Sequence, residues 1–248
     1  MARDLVRLAV DVIVARAAAP IDAARKATTT TPIVMSAAGQ DPVQAGFVAN
    51  LARPGGNVTG LTLLNQDLYV KHLELLKEVV PRLSRVAVLG SVGAPLTPKG
   101  RQDLNSGAAA LGLELDYVDI RSADDLDRAF QDIAKGRAGG LLVRADPFVV
   151  EANDRRVVAL AFKHRLPAVY WLHTFPRLGG LMSYGADLFA VHRRSAWYVD
   201  RLLRGARPAE LPVEEPSKFQ FVLNLGAARA LGLTIPPAVA ARVNEVIE

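Results

Sequence analysis

Cysteine is absent from the 248 residues, which excludes a disulfide framework, a thiolate zinc site, an iron–sulfur cluster and a cysteine nucleophile. Long apolar runs are missing too, and none approaches the roughly 18 residues that a membrane span needs. The four histidines, His72, His164, His173 and His192, form no HExxH and no close pair with metal-ligand spacing. His72, His164 and His192 fall in helical stretches and read as solvated or capping positions, whereas His173 follows a strand and can line a cleft. No GxSxG elbow occurs. The glycines of RPGGNVTGLT (Arg53–Thr62) follow neither the GK[ST] nor the GxGxxG spacing, and Pro54–Gly55–Gly56–Asn57 has the composition of a tight turn. These absences point away from an enzyme and imply neither metal nor cofactor.

Charge is ordinary in amount and scattered in position. Thirty Lys and Arg oppose 25 Asp and Glu, a net charge of +5. The densest basic spots are only the pairs Arg155–Arg156 and Arg193–Arg194, both inside helical segments. Nucleic-acid binding needs a basic stripe or face, so no nucleic-acid partner is expected. Half of the residues are apolar, which excludes wholesale disorder. The opening MARDLVRLAVDVIVARAAAP contains a small-x-small imitation of a cleavage site at Ala15–Arg16–Ala17. Asp4 and Asp11 interrupt its leader and its apolar stretch, so it reads as a helix entering a strand and not as a signal peptide.

Short β-branched runs then alternate with amphipathic helical stretches. Strands are predicted at Val10–Ala15, Pro32–Ser36, Val58–Thr62, Arg85–Gly90, Glu114–Ile120, Gly140–Arg144, Pro167–Trp171 and Phe219–Asn224. Near-continuous apolar runs such as RVAVLG suit parallel strands buried on both faces. Leu73, Leu76 and Val80 line one helix and Leu126, Phe130 and Ile133 another, the latter behind a Ser122–Asp125 capping box. A third helix runs from Asp187 to Arg204. Breaks near Pro81–Ser84, Phe175–Gly180 and Pro208–Pro216 divide this α/β chain into two doubly wound parallel-sheet lobes.

Ligands of open α/β sheets bind beyond the carboxyl ends of the strands. Read that way, the candidate ligand-binding residues are Ser36, Asp41, Ser91, Asp146, Tyr170, Trp171, Ser183, Tyr184 and Asp187. Thr59 and Thr62 join them from the glycine-rich turn. For Asp41 and Asp187, which precede helical stretches, turn formation or N-capping is an equal alternative.

Four long segments, DPVQAGFVANLARPGGNVTGLT, KHLELLKEVVPRLSRVAVLG, GGLMSYGADL and PSKFQFVLNLGAARALGLTIPP, resemble the ABC transporter substrate-binding protein family with the type I periplasmic-binding fold. The resemblance covers Leu5 to Glu248. It implies two lobes joined by three hinge crossings, residues 1–82 with 182–212 and residues 83–181 with 213–248. It also implies capture of a small organic ligand, an aromatic amino acid among the candidates, in the cleft between them. The partners would be that ligand and ABC permease subunits, the chain being a monomer in the periplasm; a cytoplasmic sensor of the same fold is the alternative. The family often reads Tyr-Pro-Phe where this chain has Tyr170–Trp171–Leu172, in a segment that faces the cleft. Family members also carry a secretion signal and a strand–helix–strand unit ahead of the helix at Ala2–Leu8. The first lobe is therefore expected to be N-terminally incomplete, with exposed strand edges that favour dimerisation or aggregation.

Overall fold

The alternation of apolar runs and amphipathic stretches produces strands and helices in turn throughout a computed structural model that describes residues 1–63, 65–146 and 150–248. In chain order these are α1 (Ala2–Arg7), β1 (Ile13–Ala15), α2 (Ala18–Ala27), β2 (Ile33–Ser36), β3 (Val58–Leu61) and α3 (Tyr69–Val79). Next come β4 (Arg85–Ser91), α4 (Pro98–Ala110), β5 (Glu114–Ile120), α5 (Leu126–Lys135), β6 (Gly140–Val143), α6 (Asp154–Lys163), β7 (Ala168–Tyr170) and α7 (Thr174–Arg177). The chain ends with β8 (Met182–Ala186), α8 (Leu188–Leu203), β9 (Phe219–Asn224), α9 (Leu225–Ala230), α10 (Pro237–Ala240) and β10 (Glu245–Ile247). All eight predicted strands are present; β8 and β10 are additional, β10 being only three residues and β8 containing Ser183, Tyr184 and Gly185, so that Ser183 and Tyr184 lie within a strand and not beyond its end. The Ser122–Asp125 box is formed as well, with the Asp125 carboxylate accepting the Ser122 N–H at 3.2 Å and the Arg121 N–H at 2.9 Å.

Two compact units result, Met1–Leu64 with Ala186–Phe219 and Asn65–Gly185 with Gln220–Glu248, so the chain passes between them three times. The first holds a parallel sheet in the order β1-β2-β3, with Val34 paired to Val14 on one side and Thr59 on the other. Ile13, Ile21, Ile33, Met35, Phe47 and Val58 form its core. Residues after Pro212 extend the β3 edge: the Glu214 N–H donates to Gly60 O at 3.0 Å and the Thr62 N–H to Glu214 O at 3.0 Å. The second unit holds a sheet in the order β10-β9-β8-β7-β6-β4-β5. Its interior packs Leu73 and Leu76 of α3 with Val86, Val88, Leu142, Val169 and Met182.

These boundaries differ from the expected partition. Helix α3 and residues 182–185 lie in the second unit, and residues 213–219 lie in the first. The Pro81–Ser84 break ends a helix without ending a domain, because both faces of a parallel sheet must be covered and α3 covers this one. Strand β8 is held to β7 by the register Val169↔Met182 and Tyr170↔Ser183.

Two tight places in this framework are testable. Gly60 has φ +122°, and a Cβ there would stand 2.3 Å from Met35 O on the neighbouring strand. Gly60→Ala therefore loses about 3 kcal/mol or more, read as a lowered urea midpoint. His72 is fully buried on α3, where its Nε2 lies 2.5 Å from Tyr184 O. With Nε2–H donating to that carbonyl, Nδ1 is left as a bare lone pair that has no hydrogen-bond partner among the described residues. Burial pulls the imidazole down to about 4, the Tyr184 contact opposing it. Protonation is thus harder in the folded chain, so the associated stability is complete above about pH 6.5 and is lost as pH falls towards 4. The loss amounts to about 3 kcal/mol. Denaturation midpoints across that window show the decline, and His72→Gln, which keeps a donor without titrating, flattens it.

Candidate ligand-binding site

In the first unit the carboxyl end of β2 carries Ser36, 4% exposed. Its Oγ lies 3.0 Å from His192 Nδ1 and accepts from Ser195 Oγ at 3.0 Å, both on α8. The backbone beyond it is strained: Ala37 has φ +108° and Ala17, just beyond β1, φ +66°. The two are tied by the Ala17 N–H donating to Ala37 O at 3.1 Å. Alanines at such angles persist only where the surroundings dictate them, and they concentrate at functional sites. Ser36 and His192 have the contact of a nucleophile and its base. The amides that would stabilise an oxyanion there, those of Ala37 and Ala38, both donate to Leu61 O, at 3.2 and 3.3 Å. The pair is arranged to hold a hydroxyl in place.

The other candidates of this unit are engaged by the fold. The Asp41 carboxylate accepts the N–H of Val43 at 2.8 Å and of Gln44 at 3.3 Å, the turn alternative. Asp187 caps α8, accepting the Ala190 N–H at 3.1 Å. Thr59 and Thr62 are fully buried and donate to Leu211 O at 2.7 Å and Gln40 O at 2.9 Å. Asp187 also borders a cavity of about 440 Å³ with Arg194, Trp197, Glu214 and Lys218. Within it Arg194 grips Glu214 at 2.6 and 2.8 Å and stacks 3.7 Å above the Trp197 ring. That ion pair, with partial burial opposing it, lowers the Glu214 carboxyl below its ordinary range.

The carboxyl edge of the second unit's sheet gathers the remaining candidates. Ser91 ends β4 and Asp146 follows β6, 2% and 1% exposed. Between them in the fold lies buried Arg144, which pairs with Asp119 and donates to Ala94 O at 3.1 Å. The Tyr69 hydroxyl accepts the Ala145 N–H at 2.9 Å, and burial pushes its phenol up to about 12. Tyr170 stacks on Phe175 at 4.6 Å, with an interplanar angle of 9°, and burial raises its phenol. Trp171 and Ser183 sit beside it, both buried. Tyr184 is half-buried between His72 and Phe221, edge-on to each at 6.3 Å.

Sequence reading missed two contributors. His72 is buried and not solvated, because α3 covers the second sheet. His192, read as solvated or capping, meets Ser36 from 156 positions away, a distance over which no local pattern operates. Among the described residues no group of three His, Asp or Glu is arranged to hold a metal ion, and no helix is long and apolar enough to cross a membrane.

Known proteins share this architecture. Residues 1–247 match the family described as ABC transporter substrate binding protein. A tyrosine-binding protein of Clostridioides difficile is 25% identical over 224 residues, covering 90% of this chain; the chain spans 63% of that relative's length. A conserved domain protein from Vibrio cholerae is 31% identical with a TM-score of 0.90, covering 99% of this chain and 81% of its own. A Streptococcus pneumonia ABC domain solved in complex with L-Trp is 26% identical with a TM-score of 0.90, covering 100% of this chain and 82% of its own. With the type I periplasmic-binding fold in hand and the match spanning nearly every residue, the chain belongs to the ABC transporter substrate-binding protein family, whose members are solute-binding proteins and not enzymes.

Proposed function

We propose that this chain is the solute-binding component of an ABC import system and that its ligand is an amino acid with an aromatic side chain. The observation that carries the reading is the row of buried polar side chains on the carboxyl edge of the seven-stranded sheet: Ser91, Asp146, Trp171 and Ser183, at 2%, 1%, 5% and 1% exposure. Side chains of that kind fix the polar groups of a small ligand within apolar surroundings. Relatives that bind tyrosine and tryptophan support the aromatic choice.

Tyr184, on the same sheet, adds aromatic surface. Capture is a closure of two lobes on the ligand, and the closed form is what the permease senses. The chain acts as a monomer on the extracytoplasmic side of the membrane, a placement that follows from its family. No bond in the ligand is made or broken.

Thermal melts with L-tryptophan, L-tyrosine and L-phenylalanine test this directly. A ligand held at a hundred times its Kd stabilises the folded chain by about 2.7 kcal/mol, which raises Tm by roughly 5–10 °C for a chain of this size. The ligand is recovered unchanged. A flat Tm with all three sinks the aromatic reading, and consumption of the ligand sinks the binding-protein reading.

A further inference from the structure

The sheet of the second unit carries an ion pair that skips a strand. Arg144 follows β6, its N–H donating to Leu89 O of β4 at 2.8 Å, and its side chain is buried. The guanidinium pairs with Asp119 of β5 and donates from Nη1 to Ala94 O at 3.1 Å. Yet β6 and β5 are not neighbours, because β4 lies between them. Adjacent strands stand about 4.8 Å apart, so the side chain spans roughly 10 Å across the middle strand.

Gly90 is what allows the crossing. It is the registered partner of Asp119, and Leu89 before it is registered with Val143, so Arg144, Gly90 and Asp119 fall in one row across three strands. A Cβ on Gly90 would land within the guanidinium, against Nη2, Cζ and Nε together. The φ of Gly90 is not positive, so its backbone does not demand a glycine; the guanidinium lying over it does.

This row sits directly beneath two of the strand ends described above. Ser91 is the residue after Gly90, and Asp146 stands two residues after Arg144. The turn beyond Ser91 is fixed from two sides. The Ala94 N–H donates to Ser91 O at 3.2 Å and the Val92 N–H to Ile120 O at 3.0 Å, while Arg144 takes the Ala94 carbonyl. We infer that Arg144 is a positioning residue: threaded over Gly90, it joins the ends of β6, β4 and β5 into one edge and so sets where Ser91 and Asp146 meet the ligand. The inference rests on the solute-binding reading above and adds what holds that edge in shape.

Gly90→Ala and Arg144→Met break the crossing from opposite sides, the first by filling the gap and the second by removing the guanidinium while keeping an apolar stem. Kd for the tightest-binding of L-tryptophan, L-tyrosine and L-phenylalanine, measured by calorimetry well below each variant's Tm, weakens about tenfold in both. The double variant binds no more weakly than either single one, because both remove the same contact; independent effects would multiply to about a hundredfold. Adding Arg144→Met to Gly90→Ala also raises its Tm, since no guanidinium is left to displace, and this keeps the comparison open where Gly90→Ala alone folds poorly. Single variants whose Kd stays within about twofold of wild type, a multiplicative double, or a double that melts lower than Gly90→Ala each overturn the inference. If wild type binds none of the three amino acids, the aromatic reading fails by itself and amide exchange decides this one. The Val92 and Ala94 N–H groups then exchange about tenfold faster in both single variants, while the Val34 N–H of the first unit's sheet keeps its rate. Unchanged exchange at Val92 and Ala94 overturns the inference.

Discussion

A parallel sheet has two apolar faces and cannot leave either in water. That constraint organises the larger unit. Its strands β4, β6, β7 and β8 require a cover, and α3 supplies it by packing Leu73 and Leu76 against Val86, Leu142 and Val169. Once α3 is placed there, His72 is carried inside and reaches the Tyr184 carbonyl, which ties the covering helix to β8. The division of the chain into two units follows from the same requirement.

The strand ends are where this packing stops and polar chemistry begins. Parallel strands all run one way, so their carboxyl ends collect on a single edge. Ser91, Asp146, Trp171 and Ser183 come from four strands that are remote in sequence and reach that edge together. In the first unit the same logic puts Ser36 beside the strained backbone of Ala37. Thr59 and Thr62, on and just after the neighbouring strand β3, are spent on loop carbonyls. Position on the edge therefore matters less than whether a local partner has already claimed the group.

Much of the fold was legible in the residues. Continuous apolar runs such as RVAVLG mark buried parallel strands, helical spacing marks α3, α5 and α8, and Ser122–Asp125 marks a helix start. The candidate site was legible only as a set of strand ends, because those are readable wherever strands are. What could not be read was which candidates hold the fold together. Asp41 and Asp187 have the local sequence of caps and serve as caps; the hydroxyls of Thr59 and Thr62 go to Leu211 and Gln40, which nothing local announces.

By itself the amino-acid sequence determined the α/β class, the positions of the main strands and the family, since these depend on periodicity and on long ordered segments. Tertiary structure alone decided that α3 and β8 belong with the second sheet, that His192 reaches Ser36, and that Trp171 and Ser183 are buried. The reason is physical. Secondary structure answers to neighbours three or four positions away, whereas burial and hydrogen-bond satisfaction answer to residues brought together from more than a hundred positions apart, such as His72 with Tyr184 and Ser36 with His192.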